Sequence, residues 1–303
     1  MKNGNVRMDL MNISAMCIRC LMDKQEERIR GIENEDKKAA YLKEAAGVIA
    51  SSAEDATAPY LVYEMNKIYR RYFGELPGYE REKKEFNVLM LELEPELEKG
   101  IRLGGSKEKV LLNALNYART ANYIDYGAAN HVEKETLTEL LEGAREEKLD
   151  EGTFQMLQKD LETADEVVYL ADNCGEIVAD KLLIRILQEQ YPQVHITVIV
   201  RGMPALNDAV LQDAEEVGLT EMVKVIGNGN GVGGTQLSLL SDEALGAIRA
   251  ADVIVSKGQG NFETIHGCGL NIYYLFLCKC EWFTKRFGME RLKGVFINEK
   301  DLK

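Results

Sequence analysis

From residue 162 onward, short β-branched apolar runs alternate with helical stretches of ten to fifteen residues, and that alternation leaves few folds open. EVVYLAD (166–172) gives way to EIVADKLLIRILQEQY, VHITVIV (194–200) to the helix-like NDAVLQDAEEVG, and MVKVIG (222–227) to SDEALGAIRA; DVIVSKG follows at 252–258. The runs NIYYLFLCKC (271–280) and GVFIN (294–298) also read as strands. A helix between consecutive strands requires a right-handed crossover, which yields a parallel sheet covered on both faces. Residues 12 to about 160 carry the other period: apolar side chains recur every three or four positions in 13–31, 38–50, 59–72, 84–98, 108–122 and 132–161. Pro59 suits a first helical turn, and Gly74 with Pro77–Gly78 marks a break. The expected architecture is α/β: a helical N-terminal region (1–161) packed on a doubly wound, mostly parallel Rossmann-like domain (162–303).

Composition narrows the partners. A chain of 303 residues that is 46% hydrophobic can bury a sizeable core. Its 37 basic and 50 acidic residues give a net charge of -13, a field that repels nucleic acid and anionic membrane surfaces. A small phosphorylated ligand stays admissible, because one metal ion and one lysine invert the sign locally. No apolar run approaches the roughly 20 residues of a membrane span, and MKNGNVRMDLMNISAM lacks the core of a signal peptide. Six cysteines are too sparse for a disulfide scaffold, so reduced thiols and a cytoplasmic location are expected. Nothing in the sequence specifies an oligomeric state.

Ligands of open α/β sheets bind beyond the carboxyl ends of the strands, so the residues that follow each strand carry the chemistry. These are Asp172-Asn173-Cys174-Gly175-Glu176 after the first, Arg201 to Asp208 after the second, the glycine-rich run Gly227 to Gly234 after the third, and Lys257 to Glu263 after the fourth. Asp172, Asn173 and Asp208 offer hard oxygen ligands without sulfur or imidazole, a set that suits magnesium or manganese better than zinc. A divalent ion there would polarise a phosphoryl oxygen and acidify a bound water. Gly175 would let the amides of the next helix approach an anion, Lys257 would neutralise a transferring phosphoryl group with Gly258 and Gly260 allowing close approach, and Asp208 or Glu176 would orient the water. The plainer reading makes Asp172, Asn173 and Asp208 helix caps and Lys257 a solvated surface lysine.

The motifs ADNCGEIVAD (171–180), RGMPALNDAVLQDAEEVGL (201–219), GNGVGGTQLSLLSDEAL (229–245), SKGQGNFETI (256–265) and ANYIDYG (121–127) together resemble the damage-control phosphatase family, also called domain of unknown function 89 or acidic-residue methyltransferase-like. The resemblance spans nearly the whole chain. It implies metal-dependent hydrolysis of small phosphate esters, with Asp172, Asn173 and Asp208 holding a divalent ion (Mn2+, Mg2+, Co2+ or Ni2+). It further implies that the Lys257–Asn261 loop, including Gly258 and Asn261, holds the substrate phosphate. Asn122 and Asp125 fall on a segment that approaches the same cleft, and with Arg201 they are expected to shape specificity. Cys174 and Arg201 depart from residues common in the family, the first small and tolerated, the second keeping its charge.

Cys17 and Cys20 share a helix face and are half of a possible metal site that Cys278 and Cys280 would complete, or else two buried thiols. The histidines, His131, His195 and His266, are too few for a histidine-based zinc hydrolase; His266 stands five residues beyond KGQGN, within possible reach of the cleft. Gly229, Gly231 and Gly234 fit G-x-G-x-x-G, but after the third strand and without a following acidic ribose partner, so a flexible loop over a phosphate cleft is the better reading. Competing functions are a non-enzymatic metal-dependent phosphometabolite-binding protein, an aspartyl-phosphate phosphatase and an S-adenosylmethionine-dependent carboxyl methyltransferase. The second lacks an aspartate at Cys174, and the third lacks the glycine-rich signature expected after the first strand.

Overall fold

The computed structural model describes residues 13–125 and 133–302. Its first part is helical: α1 (Ala15–Ile29), α2 (Glu35–Ala50), α3 (Ala58–Phe73), α4 (Glu80–Arg102), α5 (Lys107–Ala121), α6 (Lys134–Gly143) and α7 (Glu151–Thr163). Their starts are chemically marked. Ser14, Asn34, Ser106 and Asp150 each accept the backbone N–H three residues on, satisfying an otherwise orphaned donor, and α3 carries proline in its first turn.

The second part runs β1 (Glu166–Leu170), α8 (Glu176–Gln190), β2 (His195–Val200), α9 (Leu211–Glu216), β3 (Lys224–Gly227), α10 (Asp242–Ala250), β4 (Val253–Lys257), α11 (Gln259–Ile265), β5 (Ile272–Leu277), α12 (Glu281–Phe287) and β6 (Gly294–Asn298). The strands form one sheet in the order β3-β2-β1-β4-β5-β6, parallel except for β6 against β5. This is the expected doubly wound, mostly parallel architecture. Alternation along each strand divides the core. Val167, Tyr169, Val253, Val255 and Tyr273 face a cluster built with α4, α5 and α8, whereas Val168, Leu170, Ile254, Ile272 and Tyr274 face Ile248, Phe262, Ile265 and Phe283 on the other side.

The core does not divide at residue 161. Side chains of α4 to α7 belong to the same buried cluster as the sheet, while α1 to α3 enclose two small clusters around Leu61 and Met65 and around Tyr41 and Tyr69. The helical stretch expected at 207–218 also shortens, to Leu211–Glu216. Its first residues are drawn into extended backbone pairing: Ala209 N–H donates to Asp172 O at 2.7 Å, Cys174 N–H to Asn207 O at 2.9 Å, and Arg201 N–H to Ala209 O at 2.9 Å.

Candidate active site

The strand order reverses between β1 and β4, and in such sheets a crevice opens at that point. Asp172 follows β1 there, and Lys257 with Gly258 ends β4. The 207–209 segment, stitched to 172–174, brings Asp208 to the same place, and Leu206 at the bend adopts a left-handed φ of 48°, a strained value for a branched side chain. Gly258 is required beside it: its φ is +78°, and a Cβ there would run into the Asp172 carboxylate.

Two triads of charge gather there, one at the crevice and one beneath it. In the first, the Arg201 guanidinium lies between both aspartates. Its Nε donates to Asp208 Oδ2 at 2.5 Å, its Nη2 to Asp172 Oδ1 at 3.2 Å, and its Nη1 to Asn261 Oδ1 at 2.9 Å. Asp172 and Asp208 therefore point into one environment, both accepting from one planar cation. Neither caps a helix; Gly175 stands at the cap of α8 and Val210 at that of α9.

The second triad is sealed. Lys257 Nζ donates to Glu176 Oε1 and Asp180 Oδ1, both at 2.5 Å, and to Ala118 O at 2.9 Å. All three charged residues are at most 1% exposed. The expectation that Lys257 faces a transferring phosphoryl group thus gives way, because its ammonium is turned inward and its donors are engaged. Glu176 is likewise turned from solvent: it accepts Asn122 Nδ2 at 3.0 Å and Asn173 Nδ2 at 2.9 Å. Gly175 N–H donates to Asn87 Oδ1 at 2.6 Å, and the amides of Glu176, Ile177 and Val178 bond to Cys174 O, Asn173 O and Gly175 O, so that helix end does not stand open to an anion as expected.

Asn122, at the C-cap of α5, joins the triads. Its Nδ2 donates to Asp172 Oδ2 at 3.1 Å as well as to Glu176, and its Oδ1 accepts Leu277 N–H at 3.1 Å. Asn261 is held at both ends of its amide, accepting from Arg201 and Thr235 Oγ1 and donating to Ala171 O and Lys257 O. Asp125 pairs with Lys279 Nζ at 2.7 Å. The strand-end reading passes over Lys279 because NIYYLFLCKC is taken as strand to residue 280; β5 ends at Leu277, which puts Lys279 on the same functional edge. Asp180, which the same reading passes over, is distinguished by its place four residues beyond Glu176, one helical turn along the same face.

Other expectations change. The glycine-rich loop is pinned: Asn230 O accepts the amides of Gly202 and Met203, Thr235 N–H donates to Thr264 Oγ1 at 2.7 Å, and Gly234 packs against Gly260 O. His266 turns away to Glu299, 3.2 Å from its Nδ1, with its ring stacked on Phe262. His195 is an exposed residue at the start of β2, and His131 lies outside the described residues. The six cysteines are free thiols. Cys280 accepts Gln259 Nε2, Cys17 accepts Ser14 Oγ, and burial pushes both thiols up. Among the described residues no three His, Cys, Asp or Glu side chains are grouped to hold a metal ion, so the cysteine site does not assemble.

Electrostatics distinguish the aspartates from ordinary surface acids. Burial, then the charges of Asp208 and Glu176, push Asp172 well above the usual carboxylate range, with Arg201 opposing. Burial and Asp125 also raise Asp208, against Arg201 and Lys83. Two enclosed carboxylates that disfavour one another form a site with excess negative charge, and Asn173 beside them adds an amide. That donor set, two hard carboxylates and an amide oxygen, fits a divalent cation.

The pattern of the damage-control phosphatase ARMT1-like domain matches residues 13–293. A damage-control phosphatase of Archaeoglobus fulgidus is 28% identical over 286 residues, 92% of this chain and 96% of that one. Damage-control phosphatase PH1575 of Pyrococcus horikoshii is 33% identical over 168 residues, 55% of this chain and 58% of that one. The fold is similar to the crystal structure of a DUF89 family protein (PH1575) of Pyrococcus horikoshii, with a TM-score of 0.79 at 24% identity over 95% of this chain and 99% of that one.

Proposed function

The chain belongs to the damage-control phosphatase ARMT1-like family, and from that premise we propose that it is a divalent-metal-dependent phosphatase that removes phosphate from small phosphorylated metabolites. The observation that carries the reading is the meeting of Asp172 and Asp208, from the loops after β1 and β2, on one cation. In this reading Asp172, Asp208 and Asn173 hold the ion, Mn2+, Mg2+, Co2+ or Ni2+. When bound, the ion supplies Lewis-acid polarisation of a phosphoryl oxygen and an acidified water.

The chain's own residues then have distinct tasks. Asn122 orients Asp172 through its amide and ties it to Glu176. Lys257 pairs with Glu176 inside the fold, and Glu176 in turn holds Asn122 and Asn173 in register. Arg201 and Lys279, paired with Asp172 and Asp125, offset phosphoryl charge. The net charge of -13 suits a small substrate, which meets the local cations without requiring a basic surface.

The test is hydrolysis of p-nitrophenyl phosphate, then of sugar phosphates, nucleotides and phosphopantetheine-like esters, with each of the four ions and after chelation. Chelation should abolish turnover. Asp172→Asn should lower kcat/KM by roughly a thousandfold with an unchanged circular dichroism spectrum. Turnover that survives both treatments removes the metal assignment.

A further inference from the structure

The two triads have the same composition, one cation between two acids, but only one of them sits where a second cation is required. Arg201 occupies the space between Asp172 and Asp208, with Nε on one carboxylate and Nη2 on the other. A guanidinium and a divalent ion cannot both lie between those oxygens.

We infer that Arg201 is an exchangeable counter-cation: it neutralises Asp172 and Asp208 in the metal-free protein and is displaced from them when a divalent ion enters. The inference rests on the reading that these two aspartates take the ion. Three features support exchange over permanent pairing. Asp172 and Asp208 are 6% and 7% exposed, against 0% and 1% for Glu176 and Asp180, so the acids of the first triad border the cleft and those of the second do not, although Arg201 itself is 2% exposed. Arg201 keeps a third anchor, Asn261 Oδ1 at 2.9 Å, which is itself fixed to Ala171 O and Lys257 O and would retain one end of the guanidinium as the other swings. Gly233 leaves room beside one of the acids: a Cβ there would meet nothing within 4 Å but Asp208 Oδ2, at 3.9 Å. No bond is made or broken; one ion-pair partner replaces another, and the displaced guanidinium is left at the mouth of the cleft with free donors for an anion.

The consequence is a competition visible without any substrate. Mn2+ binding is measured on the full chain by electron paramagnetic resonance at pH 8, where protons compete little, alongside the melting temperature of the chelated protein. Removing Arg201 as Arg201→Gln should tighten the Mn2+ Kd about tenfold or more, the order expected for deleting a unit charge at salt-bridge distance in an enclosed site. The same variant should lower the melting temperature of the chelated protein and gain more than wild type from added Mn2+, because the two acids lose their internal counter-ion. Arg201→Lys should fall between the two. Unchanged or weaker Mn2+ binding in Arg201→Gln overturns the exchange while leaving the metal assignment standing. Absence of Mn2+ binding in wild type, or binding indifferent to Asp172→Asn, overturns both.

Discussion

The Arg201 and Lys257 triads differ in burial and connectivity, and the contrast shows how one arrangement serves two purposes. Arg201, Asp172 and Asp208 are joined by contacts of 3.2 and 2.5 Å at the lip of the crevice. Lys257, Glu176 and Asp180 lie one layer deeper with both ion pairs at 2.5 Å and the ammonium also bonded to Ala118 O. The lip pairs are buried but open narrowly to a competing cation at their two carboxylates, 6% and 7% exposed, and can trade partners there. A sealed pair cannot, because its desolvation is compensated only by the partner it already has. The lip triad is therefore suited to exchange and the deep triad to positioning.

The largest break of this contrast comes from Lys257→Met. Loss of the ammonium leaves Glu176 and Asp180 facing each other without a counter-charge, and chemical denaturation should show a stability loss of about 3–5 kcal/mol. Equal losses in Lys257→Met and Arg201→Gln would erase the distinction between the triads. A smaller effect is expected at the residue that joins them. Asn122→Ala removes donors to Asp172 and Glu176 and the acceptor of Leu277 N–H, costing about 1–3 kcal/mol. It should also lower kcat more than it raises KM, since it disturbs Asp172 and not a substrate contact; a pure KM effect would place Asn122 on the substrate instead.

The smallest effect is a slope. Burial, with Glu176 adding and Lys257 opposing, carries Asp180 up from 3.8 to about 7. The native state then holds the Asp180 proton more tightly than the unfolded chain. Stability from this group is thus full below 3.8 and declines as pH rises toward about 7. In the chelated protein, Asp180→Asn should raise the melting temperature relative to wild type by an amount that grows from pH 4 to pH 7 and then levels. A difference independent of pH would show that Asp180 stays ionised throughout.

Several of these features were legible before any coordinates. The β-branched runs locate β1, β2, β4 and β6 within a residue or two because in a sheet buried on both faces the composition of a strand is itself the signal. Asp172, Asn173 and Asp208 were legible as strand-end residues. Asn122 and Asp125 came only from resemblance, since nothing local marks a helix C-cap as part of a site. Lys257 shows the limit. Its place at the end of β4 is readable, but its partners Glu176 and Asp180 are 81 and 77 residues away, and no local pattern states which way its side chain turns.

What the sequence determined by itself was the alternation that makes a doubly wound sheet and the set of oxygen-bearing and cationic side chains delivered to its carboxyl edge. Periods of 2.0 and 3.6 are properties of neighbouring residues, so a linear chain carries them openly. Only the tertiary structure decided that Arg201 joins Asp172 to Asp208 while Lys257 is sealed beneath them. That choice depends on strand order, on the 207–209 segment folding back along 172–174, and on the different desolvation each triad meets once the sheet and its helices have closed around it.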